Sequence, residues 1–160
     1  MTAVADTSVI ILLAKVGRLA ILRDLYGEVY VPPAVAAEVR AKRDVASQEV
    51  EGFIGIPGCI RPPQNAPLVQ ALSGDLGLGE AEAIALATEV SDGLLIMDDS
   101  EGRRVARELG LGVTGLLGVL IEAKARGLIP AIGRLLDQLV AEGFWLSEAM
   151  RRIVLDAAGE

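Results

Sequence analysis

Histidine is absent from this chain. That excludes Ser-His-Asp and Cys-His nucleophile systems, His-ligated zinc and imidazole acid–base catalysis. A single cysteine, Cys59, excludes an internal disulfide and a cysteine-rich metal site. Its setting, Ile56-Pro57-Gly58-Cys59, is loop-like, and a small apolar side chain is its ordinary role there. Aromatic residues are scarce: 2 Phe, 2 Tyr and 1 Trp. Stacking platforms for sugars are therefore few, which disfavours a paired-carboxylate glycosidase. Long apolar runs are missing as well. The longest is Val9 to Ala14, closed by Lys15, whereas a spanning helix needs roughly 20 residues. No basic segment leads into an apolar stretch at the start, where Asp6 intervenes. The expectation is a soluble, cytoplasmic protein with no membrane association.

What remains for chemistry is carboxylates, hydroxyls, Lys and Arg. The chain has 160 residues, 52% of them hydrophobic, and a mean hydropathy of +0.46, enough to build a packed core. Its net charge is −7, the wrong sign for gripping nucleic acid by bulk electrostatics. A polyanionic substrate would need a bridge, and a divalent cation on a carboxylate cluster is one. The bases are 12 Arg and 3 Lys. That bias suits bidentate phosphate contacts and equally a GC-rich coding sequence.

There is no repeat, charge block or low-complexity tract. A loop-rich stretch runs from Gly52 to about Pro67 and separates a front unit from a back unit, neither large enough to stand alone, so one domain over residues 1–160 is expected. The front reads as a strand over Thr2–Ala5, helices from Val9 and over Leu19–Leu25, a strand over Glu28–Val31 and a helix from Pro33 to about Arg43. The back reads as a helix over Gly79–Val90, a buried strand over Gly93–Met97, a helix to Leu109, and a short strand near Val113. Further helices follow over Thr114–Ala125, Ala131–Glu142 and Ser147–Ala157. Strands alternating with helices predict an α/β fold of three layers, α/β/α, around a short central parallel sheet.

In such a sheet, ligands bind beyond the carboxyl ends of the strands. Asp6 ends the first strand and Asp98-Asp99 the strand over Gly93–Met97, although each also reads as a helix N-cap. Glu38 lies in the apolar context Ala34-Val35-Ala36-Ala37-Glu38-Val39, with Arg40, Lys42 and Arg43 following, as on a solvated face. Glu80 and Glu82 differ by about 200° around a helix. The wheel places Glu80 on the stripe of Ile84 and Ala87 and Glu82 on the polar side, which favours Glu80 for a site with Glu82 as second choice. Gly77-Leu78-Gly79 is not followed by a Lys-Ser/Thr pair, so it is no phosphate-cradling loop. Four separated acids without histidine suit one or two Mg²⁺ or Mn²⁺ ions that activate water and stabilise phosphoryl-transfer charge. A metal-dependent phosphatase would also use acids, but Asp6 is followed by Thr7-Ser8 and not by the Asp-x-Asp nucleophile motif.

The chain resembles the PIN-domain nucleases, in particular a small prokaryotic branch of otherwise unassigned function. The resemblance is carried by Val4-Ala5-Asp6-Thr7-Ser8, by Tyr30-Val31-Pro32-Pro33 through Glu38-Val39, by Leu78-Gly79-Glu80-Ala81-Glu82-Ala83-Ile84, by Leu95-Ile96-Met97-Asp98-Asp99 with Gly102-Arg103-Arg104-Val105-Ala106, and by the run Gly110 to Pro130. It covers about residues 1–135, with the C-terminal helices appended. It implies a metal-dependent ribonuclease acting on single-stranded RNA, one half of a toxin–antitoxin pair restrained by a small antitoxin protein. Carried over, Asp6, Glu38, Glu80 and Asp98 would be the catalytic, metal-binding acids, with Asp99 and Glu82 as alternative ligands. Thr7 or Ser8 would orient Asp6 or the attacking water. Arg103, Arg104 and Arg107 would contact the scissile strand, unless they serve Glu101 and Glu108. A homodimer is expected, and Phe144-Trp145-Leu146 would suit a dimer or antitoxin contact if exposed, or the core if buried. The alternative to an enzyme is a catalytically silent binding protein of the same fold.

Overall fold

The computed structural model describes residues 1–42 and 46–160. These form, in chain order, β1 (Thr2–Ala5), α1 (Thr7–Lys15), α2 (Ile21–Tyr26), β2 (Glu28–Tyr30), α3 (Pro33–Ala41), α4 (Ser47–Ile54), α5 (Ala66–Leu72), α6 (Leu78–Glu89), β3 (Gly93–Ile96), α7 (Ser100–Glu108), β4 (Gly112–Thr114), α8 (Leu116–Ala125), α9 (Gly133–Ala141) and α10 (Glu148–Ala157). The strands make one all-parallel sheet in the order β2-β1-β3-β4. Helices cover both faces, so the predicted α/β class holds.

The two faces follow from the period-2 alternation of the strands. Ala3, Ala5, Val29 and Ile96 turn toward α1, α2, α8 and α9, joined by α3 and α4, and form the larger core. Val4, Leu95 and Met97 turn the other way, against α6, α7 and α5. Strands covered on both sides carry almost no polar residues, which is why β1 and β3 read as short apolar runs.

Two helices were not anticipated. The stretch from Gly52 to Pro67 reads as loop, yet α4 runs into it and α5 begins inside it. Pro67 lies in the first turn of α5, where its missing N–H removes no bond. Asn65 caps that turn through the N–H of Leu68, 3.1 Å away. The remainder is loop pinned by one parallel bridge, Val31 to Ile60. The predicted end of α3 at Arg43 lies outside the described residues. Phe144 and Leu146 pack against the larger core, whereas Trp145 is 83% exposed. No helix among the described residues is long and apolar enough to cross a membrane.

The C-terminal helices are tied back by one carboxylate. Glu160 accepts from Lys124 Nζ at 2.8 Å, from the N–H of Ile132 at 2.7 Å and from the N–H of Gly133 at 3.2 Å. It thereby caps α9, whose own N-cap residue Ile132 offers no side-chain acceptor. These partners, Lys124 first, hold its carboxyl down at about 2, against an ordinary 4.5. The contribution to stability is complete above pH 4.5 and is lost as pH falls toward 2. Urea denaturation of Glu160→Gln beside the wild type will show a lower midpoint for the variant above pH 5, with the gap closing on acidification. A gap that is absent, or that does not depend on pH, would show that this latch contributes nothing.

Candidate metal centre

The chain crosses from β1 to β2 on one side and then from β2 to β3 on the other side of β1. The strand order therefore reverses between β1 and β3, and an open parallel sheet has its crevice beyond the carboxyl ends at such a point. Ala5 pairs with Ile96, and the Asp6 N–H donates to the Ile96 carbonyl at 3.0 Å. The ladder thus extends through Asp6 and delivers its side chain to the crevice.

Asp6 occupies the N-cap position of α1 in an extended conformation, but its side chain makes no capping hydrogen bond. The helix begins at Thr7 rather than Val9. The Asp6 carboxyl is 5% exposed, and its Oδ1 is buried without a hydrogen-bond partner. Burial pushes its pKa up to about 7; the Thr7 N–H opposes this, and the charges of Glu80, Glu38 and Asp99 add to it. A cap explains none of these features.

The other acids arrive from three elements. Glu38, exposed on α3, accepts a short 2.5 Å hydrogen bond from the Thr7 hydroxyl. Glu80 stands in the first turn of α6, half-buried. Its carboxyl is raised by burial and then by Asp99, with the Gly77 N–H opposing and Glu38 adding. Asp98 and Asp99 follow β3 and diverge in role. Asp98 Oδ1 accepts from the N–H of Leu116 at 3.0 Å, latching the start of α8, while its Oδ2 is buried without a partner. Burial raises the Asp98 carboxyl, against the Leu116 N–H and the Arg103 charge. Asp99 caps α7 through the N–H of Gly102 at 2.7 Å, and it is the member of the pair whose charge bears on both Asp6 and Glu80.

Asp6, Thr7, Ser8, Glu38, Lys42, Gly77, Glu80, Asp98 and Asp99 line one cleft of about 430 Å³. A larger depression of about 590 Å³ lies around Arg61, Asn65 and Glu89. There the one carboxylate is engaged by the backbone N–H groups of Gln64 and Asn65.

Four of the anticipated residues, Glu82, Arg103, Arg104 and Arg107, are not among those lining the acid cleft. Glu82 accepts from the N–H of Ala34 at 2.7 Å and so serves the first turn of α3, whose N-cap Pro32 has no acceptor. The wheel set Glu82 on a solvated side. That side exists, with Leu78 and Glu89 exposed on it, but Glu82 itself is half-buried because its carboxylate turns to the start of α3. Arg104 is bound by Glu101 and Glu108 on its own helix. Arg103 turns toward the Met97 carbonyl behind Asp98. Lys42 is instead the only cation among the described residues that line the cleft. The signal that could have found it is its spacing: four residues after Glu38, it shares that residue's helical face.

An all-oxygen donor set fits a hard divalent cation and no softer one. Among the described residues no three of these carboxylates converge tightly enough to cage an ion alone. Mg²⁺ does not need that, since it keeps several waters and takes one or two carboxylates directly. The two unpartnered buried oxygens, Asp6 Oδ1 and Asp98 Oδ2, are where such an ion gains most.

A family model described as a PIN domain matches residues 2–160. No curated protein matches the chain.

The raised pKa of Asp6 fixes a sign. With values of about 7 folded and 3.8 unfolded, ionising Asp6 destabilises the metal-free protein progressively from about pH 4 to pH 7, by on the order of 4 kcal/mol at most. In chelator, Asp6→Asn will match the wild type near pH 3.5 and exceed it in urea midpoint at pH 8. An advantage of equal size at both pH values would show that the carboxyl is not perturbed.

Proposed function

The chain belongs to the PIN-domain family, a nuclease-type fold, and from that premise we propose that it is a Mg²⁺- or Mn²⁺-dependent endoribonuclease acting on single-stranded RNA. The observation that carries the proposal is Asp6. It is a buried carboxylate with an unpaired oxygen, placed by the central strand among Glu38, Glu80 and Asp99. A structural role would have given that oxygen a partner.

In this reading Asp6, Glu38, Glu80 and Asp99 would hold the cation, one or two of them directly and the rest through its waters, and Asp98 would offer its free oxygen while latching α8. The ion would supply Lewis-acid charge and a water of lowered pKa at the phosphodiester. The chain's own residues set the stage. Near neutral pH the Asp6 carboxyl stands between its two protonation states, so it can accept a proton from a water at the cleft or give one up to bind a cation. The Thr7 hydroxyl holds the Glu38 carboxylate. Lys42 lies on the cleft where a non-bridging phosphate oxygen would enter, an anion that the surrounding acids repel on their own. Hydrolysis would leave a 3′-hydroxyl and a 5′-phosphate.

The same reading gives the chain protein partners, a small antitoxin and a second copy of itself. The exposed apolar side chains of the C-terminal region, Trp145, Met150 and Ile153, supply a surface for such a contact. Sedimentation of the wild type beside Trp145→Ser with Ile153→Ser checks the homodimer. A shift from dimer to monomer supports it, and a monomeric wild type removes it.

The catalytic proposal is tested by Mn²⁺ calorimetry and by incubating an end-labelled single-stranded RNA with and without the metal. The wild type will bind Mn²⁺ and cut only in its presence. Asp6→Asn with Asp99→Asn will lose more than about 100-fold in affinity and in rate, the upper end for changes that only support a ligand. Asn remains a good cap, so α7 survives the change. A folded wild type that binds no metal would leave the chain a catalytically silent binding protein.

A further inference from the structure

Glycine within a helix is a sacrifice of stability relative to alanine, because it gives up more backbone freedom on folding. Gly79 is the second residue of α6 and has an ordinary helical backbone, with no positive φ to require glycine. It is also buried. Its reason lies in what occupies the space of its missing side chain. A Cβ at position 79 would stand 2.5 Å from Glu38 Oε1, 2.9 Å from Glu38 Cδ and 3.0 Å from Glu38 Oε2. The whole carboxylate of Glu38 lies over the bare Cα of Gly79, and no other neighbour comes within 4 Å ahead of these atoms.

We infer that Gly79 is a positioning residue: its lack of a side chain reserves the volume in which Glu38 presents its carboxylate to the acid cleft. The contact brings α3 and α6 together at the point where their two acids, Glu38 and Glu80, face the same site. It joins the Thr7 hydroxyl bond, which holds the same carboxylate from the side of α1. A methyl group at position 79 displaces the end of a flexible, exposed side chain and leaves the backbone untouched. The expected result is a protein that folds as well as before, or better, with its cation site damaged. Gly102, in the first turn of α7, is a contrast. A Cβ there would run into the sulfur of Met97, which is fully buried, so alanine at 102 should cost stability first.

This inference rests on the proposed metal reading of the cleft, and the test separates the two. Gly79→Ala, Glu38→Asp and the double variant are compared with the wild type by Mn²⁺ calorimetry and, without metal, by urea denaturation. Gly79→Ala will keep or raise the urea midpoint and bind Mn²⁺ at least tenfold more weakly. Glu38→Asp shortens the side chain by one methylene and withdraws it from the methyl. In that background Gly79→Ala should weaken binding by less than threefold, a non-additivity that a purely structural role would not produce. Gly102→Ala, measured alongside, should lower the midpoint. A wild type that binds Mn²⁺ and a Gly79→Ala protein that binds it equally well overturn the inference alone, as do fully additive losses. A wild type that binds no Mn²⁺ overturns the metal reading and this inference with it.

Discussion

A carboxylate kept dry at the end of the central strand is the constraint on which the rest of the site depends. β1 is hydrogen-bonded on both sides, and the ladder with β3 continues through the N–H of Asp6. The backbone cannot withdraw Asp6 from the crevice without breaking the middle of the sheet. Burial then raises the carboxyl toward neutrality, and every further negative charge at the cleft adds to the strain. Four other acids are nevertheless gathered there by α3, α6 and the turn after β3. Like charges so collected are unfavourable in the free protein and favourable once a cation is shared among them, which is how a fold stores affinity in advance of its ligand.

The same arrangement divides labour between adjacent residues. Asp98 and Asp99 are neighbours in the chain and both reach the cleft, yet one latches the start of α8 and the other caps α7 while charging the site. Glu80 and Glu82 divide similarly, one on the cleft and the other on the first turn of α3. In the first pair both carboxylates answer the orphan N–H groups of a helix, and in the second only Glu82 does.

Much of this is legible in the amino-acid sequence alone. Short apolar strands closed by acids, alternating with helices, gave the sheet, its direction and the edge to inspect. Asp6 stood out because an acid directly after an apolar strand has few other places to go. The harder parts have physical reasons. α4 and α5 hid because Gly52 and Gly55 stand at the end of the first and Pro67 in the first turn of the second, residues that also mark loops. The wheel separated Glu80 from Glu82 but did not show that Glu82 turns to the start of α3, a contact between helices far apart in the chain. Arg104 reads either as a phosphate contact or as a partner for Glu101 and Glu108, and the second holds, since both carboxylates on its own helix bind it. Lys42 was passed over among its charged neighbours, since only the placement of α3 shows which of them overlooks the crevice.

The bond from Glu82 to the N–H of Ala34 runs between the two helices that carry Glu38 and Glu80. It fixes the gap between them as a cross-brace fixes two posts. The spacing of the two acids is therefore a property of the scaffold, set by a carboxylate that stands outside the cleft.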